Sequence, residues 1–71
     1  MSTRTIEIVV RGALGPDVKA ALDEFTVETD GKASRIFGPI PDQAKLLGLI
    51  EMLDERHVDV VSVNFVAHDP A

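Results

Sequence analysis

The chain reads as an α+β domain whose strands and helices come in the order β-α-β-β-α-β. Three observations carry that expectation. β-branched residues alternate with period two near both ends of the chain. Two internal stretches place apolar residues at helical spacing. Between them an Asp-Gly pair is a turn signal that folds two more strands into a hairpin.

Taken in order, Thr5 to Val10 alternates, with Ile6, Ile8 and Val10 on one side and Thr5, Glu7 and Val9 on the other. The turn "RGALGPD" leads into the first helix. Pro16 suits a first helical turn, where its missing N–H is not needed, and Asp17 complements the helix dipole. Val18, Ala21, Leu22 and Phe25 then fall at i, i+3, i+4 and i+7, one apolar stripe. Thr26 to Thr29 is the second strand, Asp30-Gly31-Lys32 the turn, and about Ala33 to Phe37 the third strand, ending at Gly38-Pro39.

Pro41-Asp42 starts the second helix, the carboxylate placed to accept a free backbone N–H. At roughly 100° per residue, Leu46, Leu49, Ile50 and Leu53 cluster on one side with Leu47 at the margin. Ala44, Gly48 and Met52 form a second, smaller stripe on the far side. The helix ends near Arg56-His57. In the last strand, "VDVVSVNFVA", Val61, Val63 and Phe65 share one face and Val60, Ser62, Asn64 and Val66 the other.

This order is the ferredoxin-like pattern: a four-stranded antiparallel sheet of order 4-1-3-2 with both helices on one face. The helix-facing layer is expected to hold Ile6, Ile8, Val10, Val27, Ile36, Val61, Val63 and Phe65, against Val18, Ala21, Leu22, Phe25, Leu46, Leu49, Ile50 and Leu53. The opposite face stays open. It would carry Glu7, Val9, Arg11, Arg35, Phe37, Thr26, Glu28, Ser62, Asn64 and Val66, with Val9, Phe37 and Val66 as an apolar patch.

At 71 residues there is room for one domain, 1–71, ordered from about residue 4 to residue 67, with the tail from His68 to Ala71 expected to be disordered. A core this small is marginal, and small domains add disulfides, metals or oligomerisation. The absence of cysteine excludes disulfides, thiolate metal sites and cysteine nucleophiles. His57 and His68 are too far apart in sequence for a metal site, and no cofactor is expected. Oligomerisation remains, and a homodimer through the sheet face or an edge strand is the expectation. Twelve acidic against seven basic residues, net −5, argue against nucleic acid and anionic membranes as partners. The N-terminal apolar run is too short for a signal peptide or a span, so a cytoplasmic location is expected.

The residues Val10, Arg11, Gly12, Leu14, Gly15, Pro16, Gly38, Asp42, Gln43, Ala44, Leu46 and Gly48 form a pattern, VRG…LGP…G-x-x-x-D-Q-A-x-L-x-G-x-L, over nearly the whole chain. In this the chain resembles a group of small actinobacterial proteins without an assigned function. The resemblance implies the same fold and no activity. Where those relatives tend to carry glycine after the second helix, this chain has His57, at a position expected to need a left-handed backbone.

Candidate sites are few. No nucleophile, base and orienting group fall together, so no catalytic residues are assigned and the chain is not expected to be an enzyme. The open-face residues Val9, Arg35, Phe37 and Val66, and the helix stripe Ala44, Gly48 and Met52, are the candidate interface. Mid-helix Gly48 costs about 1 kcal/mol against alanine, which a closely approaching partner backbone would explain. Arg11, Gly12 and Gly15 form a candidate anion or ligand loop ahead of a helix. Arg35 is placed for cross-strand ion pairs with Glu7 or Glu28. The leading expectation is a non-enzymatic interaction or regulatory module. An ACT-like sensor of an amino acid or small anion, and an accessory subunit of a larger enzyme, are the alternatives.

Overall fold

The computed structural model describes residues 4–66; the tail with His68 lies outside the described residues. Its elements are β1 (Arg4–Arg11), α1 (Pro16–Ala21), β2 (Thr26–Asp30), β3 (Ala33–Ile40), α2 (Gln43–Glu55) and β4 (Val60–Phe65). All strand pairs are antiparallel, in the order β2-β3-β1-β4, which is the expected order read from the other edge. The architecture is therefore α+β, a four-stranded antiparallel sheet with two helices.

Alternation places Ile6, Ile8, Val10 and Ile36 on one face of the sheet, all fully buried. Val18 and Leu22 from α1 and its end, with Leu49 and Leu53 from α2, complete a single cluster with them. Leu14 and Ile40, which periodicity did not assign to the core, are buried in it too. Phe25, Val27 and Leu46 pack partly buried against it.

Three elements depart from the expectation. α1 stops at Ala21, which is exposed, and Leu22 caps it; turns made by Leu22 N–H to Lys19 O and Phe25 N–H to Leu22 O follow. Phe25 still reaches the core, by a different route. It lies across Gly38, where an added Cβ would stand 2.1 Å from the ring. β3 does not end at Gly38-Pro39 but runs to Ile40, pairing Gly38 with Ile6 and Pro39 with Thr5. Proline is tolerated there because β2 begins opposite Phe37, so one side of β3 has no ladder to interrupt.

The third departure is a bulge in β4. Val9 pairs with Ser62 but Val10 with Val60, so one extra residue enters and shifts the phase. Val60, expected on the open face, consequently packs partly buried against the core. Val61, expected inside, is exposed. Val63 and Phe65 do pair with core residues Ile8 and Ile6, yet both are exposed as well.

Local chemistry fixes the connections. Gly31 takes φ +61 as the first central residue of the β2–β3 hairpin, the pattern of a type II′ turn. Ser34, the one fully buried polar residue among those described, donates from Oγ to Gly12 O at 2.7 Å. Thr29 Oγ1 is left to donate to Ser34 Oγ at 3.2 Å. Gly12 N–H donates to Lys32 O at 2.7 Å, so the hairpin grips the β1–α1 turn from both sides. Asp42 caps α2 as expected, its carboxylate accepting from Lys45 N–H at 2.9 Å. At the far end Val58 N–H bonds Leu53 O and His57 N–H bonds Asp54 O, a Schellman motif. His57 takes the left-handed position with φ 62.

Two substitutions test this account. Gly38→Ala is expected to cost about 1–3 kcal/mol, the range for forcing extra atoms into a packed site, read from the urea midpoint. Pairing it with Phe25→Leu should recover part of the loss. His57→Gly is expected to raise stability by about 1 kcal/mol, because glycine removes the Cβ strain of the left-handed conformation; an unchanged midpoint would contradict it.

Candidate functional site

On the open face the register sets out rows across the sheet. Thr26, Phe37, Glu7 and Asn64 form one, and Glu28, Arg35, Val9 and Ser62 the next. Opposite charges therefore meet where the sequence places them. Arg35 donates from Nε and Nη2 to Glu7 Oε2 at 3.0 and 2.7 Å, and its Nη1 stands 4.0 Å from Glu28 Oε1. The bond to Glu7 raises the Arg35 pKa above its ordinary value. The guanidinium also lies 4.8 Å from the Phe37 ring centroid, within cation–π range. Phe37 and Val9 are half-buried. The centre of this face is thus an ion cluster over a covered aromatic ring, and of the expected apolar patch only Val66 is openly exposed.

The second stripe, on α2, also divides. Met52 packs partly buried against the core and lines, with Gly48, the groove on this side of α2. The reason is rotational: the buried line of α2 runs through Leu49 and Leu53, and Met52 lies three residues after Leu49, on its flank. Ala44 and Gly48 are exposed. Gly48 borders a groove shared with Ala21, Phe25, Lys45 and Leu49, bridged by Lys45 Nζ to Glu24 Oε1 at 2.6 Å. No atom lies within 4 Å of where a Gly48 Cβ would be, so nothing within the chain requires this glycine.

The loop of Arg11, Gly12 and Gly15 has its groups occupied. Gly12 N–H is spent on Lys32 O, and Arg11 pairs with Asp59 at 3.1 Å. Gly15 precedes α1, whose first residue Pro16 carries no N–H. A shallow cleft adjoins this loop, with Arg56 and His57 on its far wall, but Arg56 is bonded to Asp17 at 2.5 Å. Each arginine at the cleft already faces a carboxylate.

The largest exposed apolar feature lies elsewhere, at the β4 margin. Val61, Val63, Phe65 and Val66 are 55, 37, 44 and 44% exposed. Along the helix-side row Ile36–Ile8–Val63, burial falls from complete at the two central strands to partial at β4. The neighbouring row, Ile6 to Phe65, repeats the drop. Arg4 partly covers Phe65, its guanidinium 3.9 Å from the ring centroid. Sequence reasoning assigned Val63 and Phe65 to the helix-facing layer and so overlooked them as a surface. The signal available was their place on the last strand of order 4-1-3-2, an edge strand.

Among the described residues, no group of three or more His, Cys, Asp or Glu is placed to hold a metal ion. No helix there is long and apolar enough to cross a membrane. Residues 5–64 match the model of a family described as a domain of unknown function, DUF8691, and the chain belongs to that family. No curated protein and no solved structure matches it.

The outer surface of α2 yields a direct test. With space open around Gly48, Gly48→Ala is expected to stabilise the chain by about 1 kcal/mol, read by thermal or urea unfolding. Destabilisation would instead mean that a second chain sits close against α2.

Proposed function

We propose that the protein is a non-enzymatic interaction module with a ferredoxin-like fold, acting as a homodimer through the β4 margin of its sheet. The single observation behind this reading is the exposed row Val61, Val63 and Phe65 on an edge strand. An edge strand presents unpaired backbone N–H and C=O groups, and soluble proteins ordinarily blunt such edges with charge, proline or cover. β4 carries no charge or proline from Val60 to Phe65; its bulge and the Arg4 guanidinium over Phe65 are its only protection among the described residues. A small, cysteine-free core gains most from burying such a margin against a partner.

The two surfaces favoured by the sequence rank lower. Salt-bridged Glu7, Arg35 and Glu28 keep the centre of the open face polar, and Met52 is partly drawn against the core, which leaves less of the α2 stripe free. An ACT-like sensor using the Arg11–Gly15 loop has the least support, because Gly12 N–H and the Arg11 side chain are already bonded within the chain.

Sedimentation equilibrium across micromolar concentrations is expected to show a monomer–dimer equilibrium. Phe65→Glu should weaken it at least tenfold, since a carboxylate would have to be desolvated at the contact. Arg35→Ala, on the open face, should leave it unchanged. A chain that sediments as a monomer up to hundreds of micromolar would refute the reading.

A further inference from the structure

We infer that β4 is covered by the β4 of a second copy, running antiparallel about a two-fold axis at Val63, so that two four-stranded sheets join into one of eight strands. This rests on the β4 margin being the interaction surface of a homodimer, and it adds the strand-to-strand pairing and its register.

Hydrogen-bond phase and the apolar pattern together set the register. Val66 N–H donates to Thr5 O at 2.9 Å, so its backbone groups point toward β1. Strand alternation then turns Ser62 and Asn64 toward β1 as well, and points the N–H and C=O of Val63 and Phe65 to the free edge. With Val63 opposite its own copy, those outward groups exchange two hydrogen bonds across the axis. Val61 meets Phe65 of the copy, and Ser62 meets Asn64. Each exposed apolar side chain of the strand thereby gains an apolar cross-strand neighbour on the same face. Axes at Ser62 or Asn64 keep the same hydrogen-bond phase. The first, however, sets Phe65 opposite Asp59, and the second carries Val61 beyond Phe65, the end of β4. The Val63 axis alone gives Val61, Val63 and Phe65 each an apolar neighbour.

Charge selects this edge over the other, and the self-complementary apolar pattern of β4 selects a second copy as its occupant. Two copies of a chain with net charge −5 repel, and β4 is a strand without a charged residue from Val60 to Phe65. The other edge, β2, carries exposed Glu28 and Asp30. An antiparallel β2–β2 contact centred on Glu28 would oppose like charges directly, which is destabilising.

The chain has no cysteine, so each one introduced is unique. Val63→Cys, Glu28→Cys and Ala44→Cys are to be exposed to a mild oxidant and followed on non-reducing gels, beside sedimentation of the unmodified chain. Residues at a hydrogen-bonded antiparallel pair have Cα atoms about 5.5 Å apart, inside the disulfide range of about 4.4–6.8 Å. Val63→Cys is expected to form covalent dimer at least tenfold faster than the other two. A sedimenting dimer in which Glu28→Cys or Ala44→Cys cross-links faster would overturn the β4 pairing and leave the dimer itself standing. A sedimenting monomer would overturn both. Hydrogen exchange on the unmodified chain gives an independent readout: Val63 and Phe65 amides should become protected as concentration rises. Fast exchange at every concentration would overturn the pairing whatever the cysteine variants do.

Discussion

Unequal cover of one sheet face is the constraint on which the rest of the molecule depends. A six-residue helix such as α1 is about 9 Å long at 1.5 Å per residue, while an eight-residue strand spans about 26 Å. Two helices of six and thirteen residues must therefore choose where to lie. They close over β1 and β3, whose inward residues are fully buried, and the β4 row is left partly in water. The outermost apolar residues owe their exposure to this shortage of helix rather than to their own alternation.

What cover exists is made tight by close contacts. Phe25 lies directly on Gly38, so a ring belonging to the α1–β2 connection fills the place where a β3 side chain would stand. Glycine in a strand loses packing of its own, and an aromatic laid across it restores the contact. Ser34 does the polar equivalent at the other end of β3, holding the Gly12 carbonyl inside the core. No buried side-chain N or O among the described residues lacks a partner. A small core without disulfides can be held this way, because an unmade buried hydrogen bond would cost about 1–3 kcal/mol, a large share of a small domain's stability.

Much of this was legible in the sequence, and the reasons are local. Alternation in β1, the Asp42 cap and the Gly31 turn each depend on residues within a few positions, and each is found in place; the left-handed backbone at His57, expected from the resemblance, is found too. So is the pairing of Arg35 with Glu7, which follows once the hairpin and the strand order are right. What could not be read depends on contacts between distant segments. Gly38-Pro39 looks like a strand end unless Phe25 is known to sit on it and β2 to have already ended. The bulge opposite Val9 and Val10 is invisible in "VDVVSV", where every choice of phase puts valines on both faces. α1 is shorter than its apolar stripe because the chain must turn at Leu22 to bring Phe25 over the sheet. Met52 shares a groove with Gly48 and yet packs partly against the core, because a helix with apolar residues on most of its circumference has no sharp boundary between stripes.

The two edges of the sheet are treated in opposite ways, and that asymmetry gives the molecule a direction. β2 exposes Glu28 and Asp30, and a short charged strand resists addition of another. The central rows of the open face are held wet by Arg35 between two carboxylates. The cleft beside the β1–α1 turn is likewise lined by arginines that already have acidic partners. Arg11, Arg35 and Arg56 thus each face a carboxylate within the chain, while β4 carries no charge from Val60 to Phe65. Exposed ion pairs of this kind contribute only about 0–1 kcal/mol each to stability, so their larger effect is on which surfaces another chain can approach without desolvating charge. Leu47 on α2 is an isolated exposed apolar residue, whereas Val61, Val63 and Phe65 lie along one uncharged strand. Burying that strand therefore removes more apolar surface from water, with no charge to desolvate.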